Sequence, residues 1–394
     1  MSRFDSFNFA GRRAVVRVDF NVPLDRDFRI TDDTRIRAAV PTINKILNDG
    51  GSVVLLSHLG RPKNGPADKY SLRHLVAPLS QTFGRPVQFA STLDEATHKA
   101  AGLQPGQILL VENLRFHSQE EAGDPTFAQQ LASLGDVYVN DAFGTAHRAH
   151  ASTAVMAQYF PAESRFRGYV MDAEIEAARR VLENPERPYV AVMGGAKVSD
   201  KILLIERLLD KVDVLLIGGG MAYTFAKAEY GQVGDSLVED DKLDLARALI
   251  QKAKDRGVRL VLPVDSVIAD RFANDANTDV AHNHHIAKGW MGLDLGPDAR
   301  EQFTKAIAGA RTILWNGPMG VFEFPNFALG TKAVADAIAR ATEAGAYSLI
   351  GGGDSAAAIN QLGYADRVSY ISTGGGALLE YMEGRTLPGV AAIG

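Results

Sequence analysis

Short runs of β-branched and aliphatic residues recur along this chain, each followed by a longer stretch with helical spacing, and that rhythm restricts the fold more than any other feature. The runs fall at 14–18, 53–57, 108–112 and 137–140 in the first half, and at 189–193, 214–217, 260–263, 312–315, 348–350 and 369–371 in the second. Strands alternating with helices predict parallel sheets, and strands apolar at nearly every position predict sheets covered on both faces. The chain has 394 residues, more than the roughly 250–300 at which a single core stops growing. The expectation is an α/β protein of two Rossmann-like domains, each a mainly parallel sheet flanked by helices, joined by a linker helix and hinge. Residues 171–183 carry apolar positions at helical spacing and meet Asn184-Pro185-Glu186-Arg187-Pro188, where proline disfavours helix in the residue before it. The reading is therefore a first domain over 1–170, a linker helix and hinge over 171–187, and a second domain over 188–377.

Composition excludes several classes of function. Hydrophobic residues make up 46% and charged residues 23% of the chain, a globular balance. A formal net charge of -5 offers no general attraction to nucleic acid or anionic membrane, so an anion site must be local. With 0 Cys, disulfides, thiolate nucleophiles and cysteine zinc sites are excluded. The first residues, Met1 to Arg12, lack a basic segment followed by an apolar one, and no apolar run reaches the roughly 18 residues of a spanning helix. The expectation is a cytoplasmic enzyme.

In open α/β sheets, ligands collect beyond the carboxyl ends of the strands. In the first half those positions hold Arg17-Val18-Asp19-Phe20-Asn21-Val22-Pro23, Ser57-His58-Leu59-Gly60-Arg61-Pro62, Glu112-Asn113-Leu114-Arg115-Phe116 and Asp141-Ala142-Phe143-Gly144-Thr145-Ala146-His147-Arg148. A single Arg after a strand is ordinarily a solvated surface charge. Four loops that bring Arg or His to one rim are a different matter: Arg61, Arg115 and Arg148, with Arg35 from a helix, can enclose a small polyanion through bidentate contacts. His58 and His147 can add donors, and a structural role serves either equally well.

The second half is glycine-rich at the corresponding places: Gly194-Gly195-Ala196-Lys197, Gly218-Gly219-Gly220, Asn316-Gly317-Pro318-Met319-Gly320, Gly351-Gly352-Gly353-Asp354-Ser355 and Gly374-Gly375-Gly376. Such turns let backbone N–H groups and helix N-termini approach phosphate, which points to a nucleotide. No GxxxxGK[ST] motif occurs, and Gly351-x-Gly353-x-x-Ala356 is a weak match to a dinucleotide fingerprint. A carboxylate at Asp354 suits a phosphate site chiefly when Mg2+ lies between them. Lys197 and Lys201, read as one helical turn apart, would both face the transferred group.

Taken together and in this order, these segments resemble the phosphoglycerate kinases over essentially the whole chain, from Arg17-Val18-Asp19-Phe20-Asn21-Val22-Pro23-Leu24 to Leu387-Pro388-Gly389. The resemblance implies reversible phosphoryl transfer between ATP and 3-phosphoglycerate in a cytosolic monomer, a glycolytic reaction. It implies that Asp19, Asn21, Arg35, His58, Leu59, Gly60, Arg61, Arg115 and Arg148 hold the phosphoglycerate. It assigns Lys197, Lys201, Asn316, Glu323, Gly352, Gly353, Asp354 and Ser355 to the nucleotide, with Glu323 at the ribose and Asp354 at Mg2+. The family's usual Thr at Ser355 is replaced with the hydroxyl kept. The segment 378–394 is implied to return to the first domain.

The acceptor in such a reaction is a carboxylate, already ionised at neutral pH, so no general base is required. Catalysis is then positioning and charge neutralisation by Arg35, Lys201 and Lys197, Mg2+, and the helix N-terminus at Gly374, Gly375 and Gly376. Substrates on two domains imply hinge closure. An NAD-dependent oxidoreductase and a noncatalytic phosphometabolite sensor are the rivals, the first weakened by the missing acidic residue after the fingerprint, the second by intact Lys197, Lys201 and Asp354. His282-Asn283-His284-His285 is read as a surface loop, and 243–254 as an amphipathic helix packed on its own sheet.

Overall fold

The structure, a computed structural model, describes residues 2–394. Seventeen strands follow in chain order: Arg13–Arg17 (β1), Ser52–Leu56 (β2), Val87–Ala90 (β3), Ile108–Val111 (β4), Val137–Asn140 (β5), Arg165–Arg167 (β6), Tyr189–Met193 (β7), Val214–Ile217 (β8), Gln232–Val233 (β9), Arg259–Val261 (β10), Asp265–Ala269 (β11), Thr278–His282 (β12), His285–Ile286 (β13), Met291–Leu295 (β14), Thr312–Asn316 (β15), Tyr347–Gly351 (β16) and Tyr370–Ile371 (β17). Two six-stranded sheets dominate, ordered β3-β4-β2-β1-β5-β6 and β10-β8-β7-β15-β16-β17. Every pairing within them is parallel. The α/β reading of the sequence, a mainly parallel sheet flanked by helices in each half, therefore holds for both halves.

Burial explains why these strands are apolar throughout. Ala14 and Val16 enter one hydrophobic cluster of the first sheet and Val15 enters the other, as the two-residue strand period requires. Each such Val or Leu, fully removed from water, contributes about 1.5–3 kcal/mol before entropy is subtracted. In the second sheet Val190, Val192, Ile313 and Trp315 share one cluster with Phe303 and Ile338. The buried Trp315 indole donates to Gly317 O at 2.7 Å, so its polar edge is satisfied. The helix Leu243–Asp255 buries Ala246, Leu249 and Ala253 at helical spacing.

Several elements escape the sequence pattern. β3 is short and β6 has only one apolar residue between two arginines. A three-stranded antiparallel sheet, β12-β11-β14, interrupts the parallel rhythm, and β12 is largely exposed, so it carries no apolar alternation. The 282–285 stretch is not a simple loop: His282 ends β12 and His285 begins β13. Among the described residues no group of three or more metal-binding side chains is present, and no helix is long and apolar enough to cross a membrane.

The chain divides into two compact units, one holding the residues up to Glu176 together with Gly384–Gly394, the other Ala177–Glu383. Within the first, the C-terminal segment is fixed by Gly389 N–H to Ala146 O at 2.8 Å and by Arg165 Nη1 to Ala392 O at 3.3 Å. The helix Gly376–Met382 belongs to the second unit. The helix expected at 171–183 spans Tyr169–Leu182. It starts earlier because Asp141 Oδ1 accepts from Val170 N–H at 2.9 Å and Met171 N–H at 3.3 Å, while Thr42 Oγ1 accepts from Tyr169 N–H at 3.0 Å. These are the N–H groups a first helical turn leaves without partners. Gly168 is required beside them, since a Cβ there would come within 2.2 Å of Asp141 Oδ1.

Burial pushes the Asp141 carboxyl up to about 7, against the hydrogen bonds that favour its charge. A folded pKa above the unfolded value means the folded state binds the extra proton, so this group's contribution to stability is lost as pH rises from about 4 through 7. Asp141→Asn keeps the shape and an acceptor for the helix. Its melting temperature relative to the parent should therefore be higher at pH 8 than at pH 5, and an equal difference at both pH values would contradict the buried-carboxyl account.

Candidate functional site

In the first sheet the strand order reverses between β1 and β5, whose ends pair as Arg17 with Asn140. Such a reversal opens a crevice beyond the carboxyl ends. Arg17 is entirely buried there; it donates through Nε to Ser152 Oγ at 2.7 Å, through Nη1 to Val18 O at 2.5 Å and through Nη2 to His58 Nδ1 at 3.2 Å. A guanidinium can only donate, so His58 Nδ1 accepts and the ring proton sits on Nε2. Burial first, then Arg17, Arg115 and Arg35, hold His58 well below the usual histidine range. The ring is therefore a neutral donor.

Around it the predicted residues knit together. Arg35, in the first turn of the helix Thr34–Asn48, donates through Nη1 to Asn21 O at 2.9 Å and lies 3.4 Å from Asp19 Oδ1. Asn21 Oδ1 accepts from Gly60 N–H at 2.8 Å, and Gly60 O accepts from Arg115 Nη1 at 3.1 Å. Leu59 O accepts from the buried Asn113 Nδ2 at 2.7 Å. Gly60 has φ +62, and a Cβ there would meet the Tyr70 ring at 2.4 Å, so no other residue makes this turn. Burial lowers Arg115 against the pull of Glu121. Arg61 and Arg148 are exposed, and among the described residues neither meets a carboxylate in an ion pair. Asn21 and Arg35 line a cleft of about 390 Å3 with Val22, Pro23 and Asp32. The rim holds more cation than anion, a balance that suits a small anion.

The second sheet reverses between β7 and β15, where Met193 pairs with Asn316. Glycine turns after β7, β8 and β15 pack backbone against backbone: Gly195 N–H donates to Pro318 O at 3.1 Å and Gly219 N–H to Met319 O at 3.2 Å. A Cβ at Gly194 would lie 2.1 Å from Pro318 O. Part of the glycine richness thus serves contact between turns. Beside them opens a cavity of about 640 Å3, lined by Gly195, Gly219 and Asp354 and by Leu237, Met291, Leu293, Val321, Glu323 and Phe324. A cavity lined mainly by apolar side chains and glycine backbone, with Asp235, Glu323 and Asp354 as its carboxylates, suits a nucleoside joined to phosphates.

Lys201 donates through Nζ to Asn316 Oδ1, and Asn316 Nδ2 donates to Gly351 O at 2.9 Å. Burial lowers Lys201, while Asp200, Asp354 and Glu383 raise it. Ser355 is buried, and its hydroxyl accepts from Gly317 N–H at 2.6 Å, tying the β15 turn to the helix Gly353–Gln361. Asp354 lies exposed in the first turn of that helix, after Gly352 at φ +91. One expectation is corrected: Lys197 and Lys201 are not on one helical turn. The helix begins only at Ile202, and Lys197 sits exposed in the turn that the glycines impose. Gly376 opens the helix Gly376–Met382, with Gly374 N–H bonded to Ser372 Oγ at 3.0 Å.

Comparison with known proteins identifies the family. The family model described as phosphoglycerate kinase matches residues 4–385. The chain belongs to the phosphoglycerate kinase family. It is 55% identical over 414 residues to the phosphoglycerate kinase of Porphyromonas gingivalis, covering 99% of both chains. It is 55% identical over 386 residues to a cytosolic phosphoglycerate kinase of Nicotiana tabacum, covering 97% of this chain and 95% of that one. The solved phosphoglycerate kinase of Coxiella burnetii superposes with a TM-score of 0.89 at 42% identity, over 98% of this chain and 97% of that one. That of Pyrococcus horikoshii gives 0.81 at 31% identity, over 100% and 98%.

Membership in the phosphoglycerate kinase family makes the protein a phosphotransferase and disfavours the oxidoreductase and noncatalytic readings. Mg2+ also fits the donor set, because the cavity presents the exposed carboxylates of Asp235, Glu323 and Asp354, and one of them, Asp354 at the start of the helix Gly353–Gln361, suits a cation that keeps waters and phosphate oxygens as its other ligands. Sequence reasoning missed Arg17 and His150 at the acid site and Leu237, Met291, Leu293 and Val321 at the cavity. The available signal for Arg17 was its place at the carboxyl end of β1, closing the apolar run Ala14-Val15-Val16. His150 is pushed down to about 4 by burial and by Arg115, Arg17 and Arg148. In a histidine NMR titration, the His58 and His150 rings should keep their neutral signals from pH 8 down to about 5; protonation of either near pH 6–7 would contradict this electrostatic picture.

Proposed function

We propose that the protein transfers a phosphoryl group reversibly between ATP and 3-phosphoglycerate, giving ADP and 1,3-bisphosphoglycerate, with the acid on the first unit and the nucleotide on the second. The observation that carries the division is the contrast between the two strand-order reversals: one presents surplus guanidinium charge, the other a largely apolar cavity edged by glycine turns. In the first, Asp19, Asn21, His58, Gly60, Arg61, Arg115 and Arg148 hold the phosphoglycerate, and Arg35 extends from the helix start toward its carboxylate. That carboxylate is ionised without help and is itself the nucleophile.

In the second, Leu237, Met291 and Val321 enclose the base, Glu323 meets the ribose, and Lys197, Lys201 and Gly352 to Ser355 meet the phosphates. Asp354 would hold Mg2+, which supplies charge neutralisation across the phosphates. Lys201 and Arg35 offset the negative charge that spreads over the transferring group, with the N–H groups at Gly375 and Gly376 adding to them, the Gly374 N–H being already bonded to Ser372 Oγ. Asn316 fixes the Lys201 ammonium, so the cation is placed before the substrates arrive. Because acid and nucleotide are assigned to different units, transfer requires that the units be brought together, and we place that motion about the helix Tyr169–Leu182. We assign the reaction to a cytoplasmic monomer in glycolysis.

Steady-state assays in both directions test this reading. Arg35→Ala and Lys201→Ala should each lower kcat by about 100-fold or more while the protein remains folded, the usual loss for one donor to developing charge. Asp354→Asn should raise the Mg2+ concentration needed for half-maximal rate. Near-parental kcat in both cation variants would remove them from the chemistry.

A further inference from the structure

The mechanism above uses His58 as a donor but leaves unexplained why a charged Arg17 is buried at the end of the central strand. Glu120, Ser152 and Arg17 are all 0% exposed. The Ser152 hydroxyl accepts from Arg17 Nε at 2.7 Å and donates to Glu120 Oε1, while Glu120 Oε2 accepts from Ser152 N–H at 3.1 Å. Glu120 O accepts in addition from Ala151 N–H at 2.9 Å. Burial raises the Glu120 carboxyl, and Arg17 and Ser152 pull it back. A guanidinium stays charged in any protein, so an ionised Glu120 is the counter-charge that makes its burial tolerable.

The geometry leaves the guanidinium no freedom. It is planar; with Nε on Ser152 and Nη1 on Val18 O at 2.5 Å, the direction of Nη2 is set, and it points at His58 Nδ1, 3.2 Å away. A well-packed apolar residue would stabilise the strand at least as well as this buried charge and its Ser152-bridged counter-charge, so stability alone does not account for it.

We propose that Arg17, locked by Ser152 and Glu120, is a positioning residue that fixes His58 as the Nε2–H tautomer and aims that proton at the bound acid. Without the lock, a neutral imidazole exchanges between tautomers, and the Nδ1–H form presents a lone pair where the anionic substrate needs a donor. The functional consequence rests on the reading above that His58 touches phosphoglycerate; the tautomer itself does not.

Ser152→Ala and Arg17→Lys, made in the full chain, separate these statements. Ser152→Ala cuts the link to Glu120, and Arg17→Lys keeps the charge but loses the planar fork. In nitrogen NMR of the ligand-free protein, the parent His58 should show only the Nε2–H form and both variants a mixture. The KM for 3-phosphoglycerate should rise about 5- to 10-fold, the equivalent of one hydrogen bond, with the KM for ATP within about twofold. Mixed tautomers with an unchanged KM for the acid would support the positioning and reject His58 as a substrate contact. A parent Nδ1–H signal, or a pure Nε2–H signal retained in both variants, would overturn the proposal. Should Ser152→Ala not fold, Arg17→Lys decides it alone.

Discussion

A guanidinium sealed from water at the end of the central strand is the constraint around which the first unit is arranged. Arg17 must have its charge balanced and its donors used, and the partners come from β1, the turn after β2, and the segments around Glu120 and Ser152. Those same segments carry the other cations of the rim: Arg61 follows His58, Arg115 precedes Glu120, and Arg148 precedes Ser152. Holding one buried charge therefore sets the positions of the loops that present the others. The rim remains electropositive because Glu120 serves Arg17 indirectly and does not reach Arg61 or Arg148.

The second unit solves a different problem with different chemistry. Backbone has to lie against backbone at the ends of β7, β8 and β15, and only glycine leaves room for it. Lys201, Asn316 and Gly351 form a chain of hydrogen bonds across this floor, so one ammonium group is placed by the same residues that close the turns. Asp294 behind the cavity is buried and pushed up to about 7; it accepts from Gly330 N–H at 2.8 Å and leaves no space for a Cβ at Gly320 or Gly330. It thereby joins the two ends of the segment carrying Val321, Glu323 and Phe324.

Much of this was legible in the sequence for physical reasons. Strands covered on both faces must be apolar throughout, so β5, β7 and β8 could be delimited from composition alone. Strands that escape that rule, such as the arginine-flanked β6 and the exposed β12, leave no pattern. Candidate site residues stood out where they lie in the segments that follow strands, as His58, Arg61, Arg115, Arg148 and Asp354 do. The cavity walls were not, because Leu237, Met291 and Val321 come from separate segments, and an isolated Leu or Val signals nothing beyond burial. The spacing of Lys197 and Lys201 misled, since four residues make a helical turn only where a helix exists, and glycines at 194 and 195 postpone its start to Ile202.

The account stands on a division of labour: the acid is bound by surplus cation in one unit and the nucleotide by an apolar, glycine-edged cavity in the other. A crystal structure of the protein with 3-phosphoglycerate and MgADP tests it most directly. The account predicts the acid within hydrogen-bond distance of Arg35, Arg61, Arg115, Arg148 and His58 Nε2, and the base against Leu237, Met291 and Val321. Both ligands on one unit, or an acid lying away from the Arg17 and His58 crevice, would contradict it.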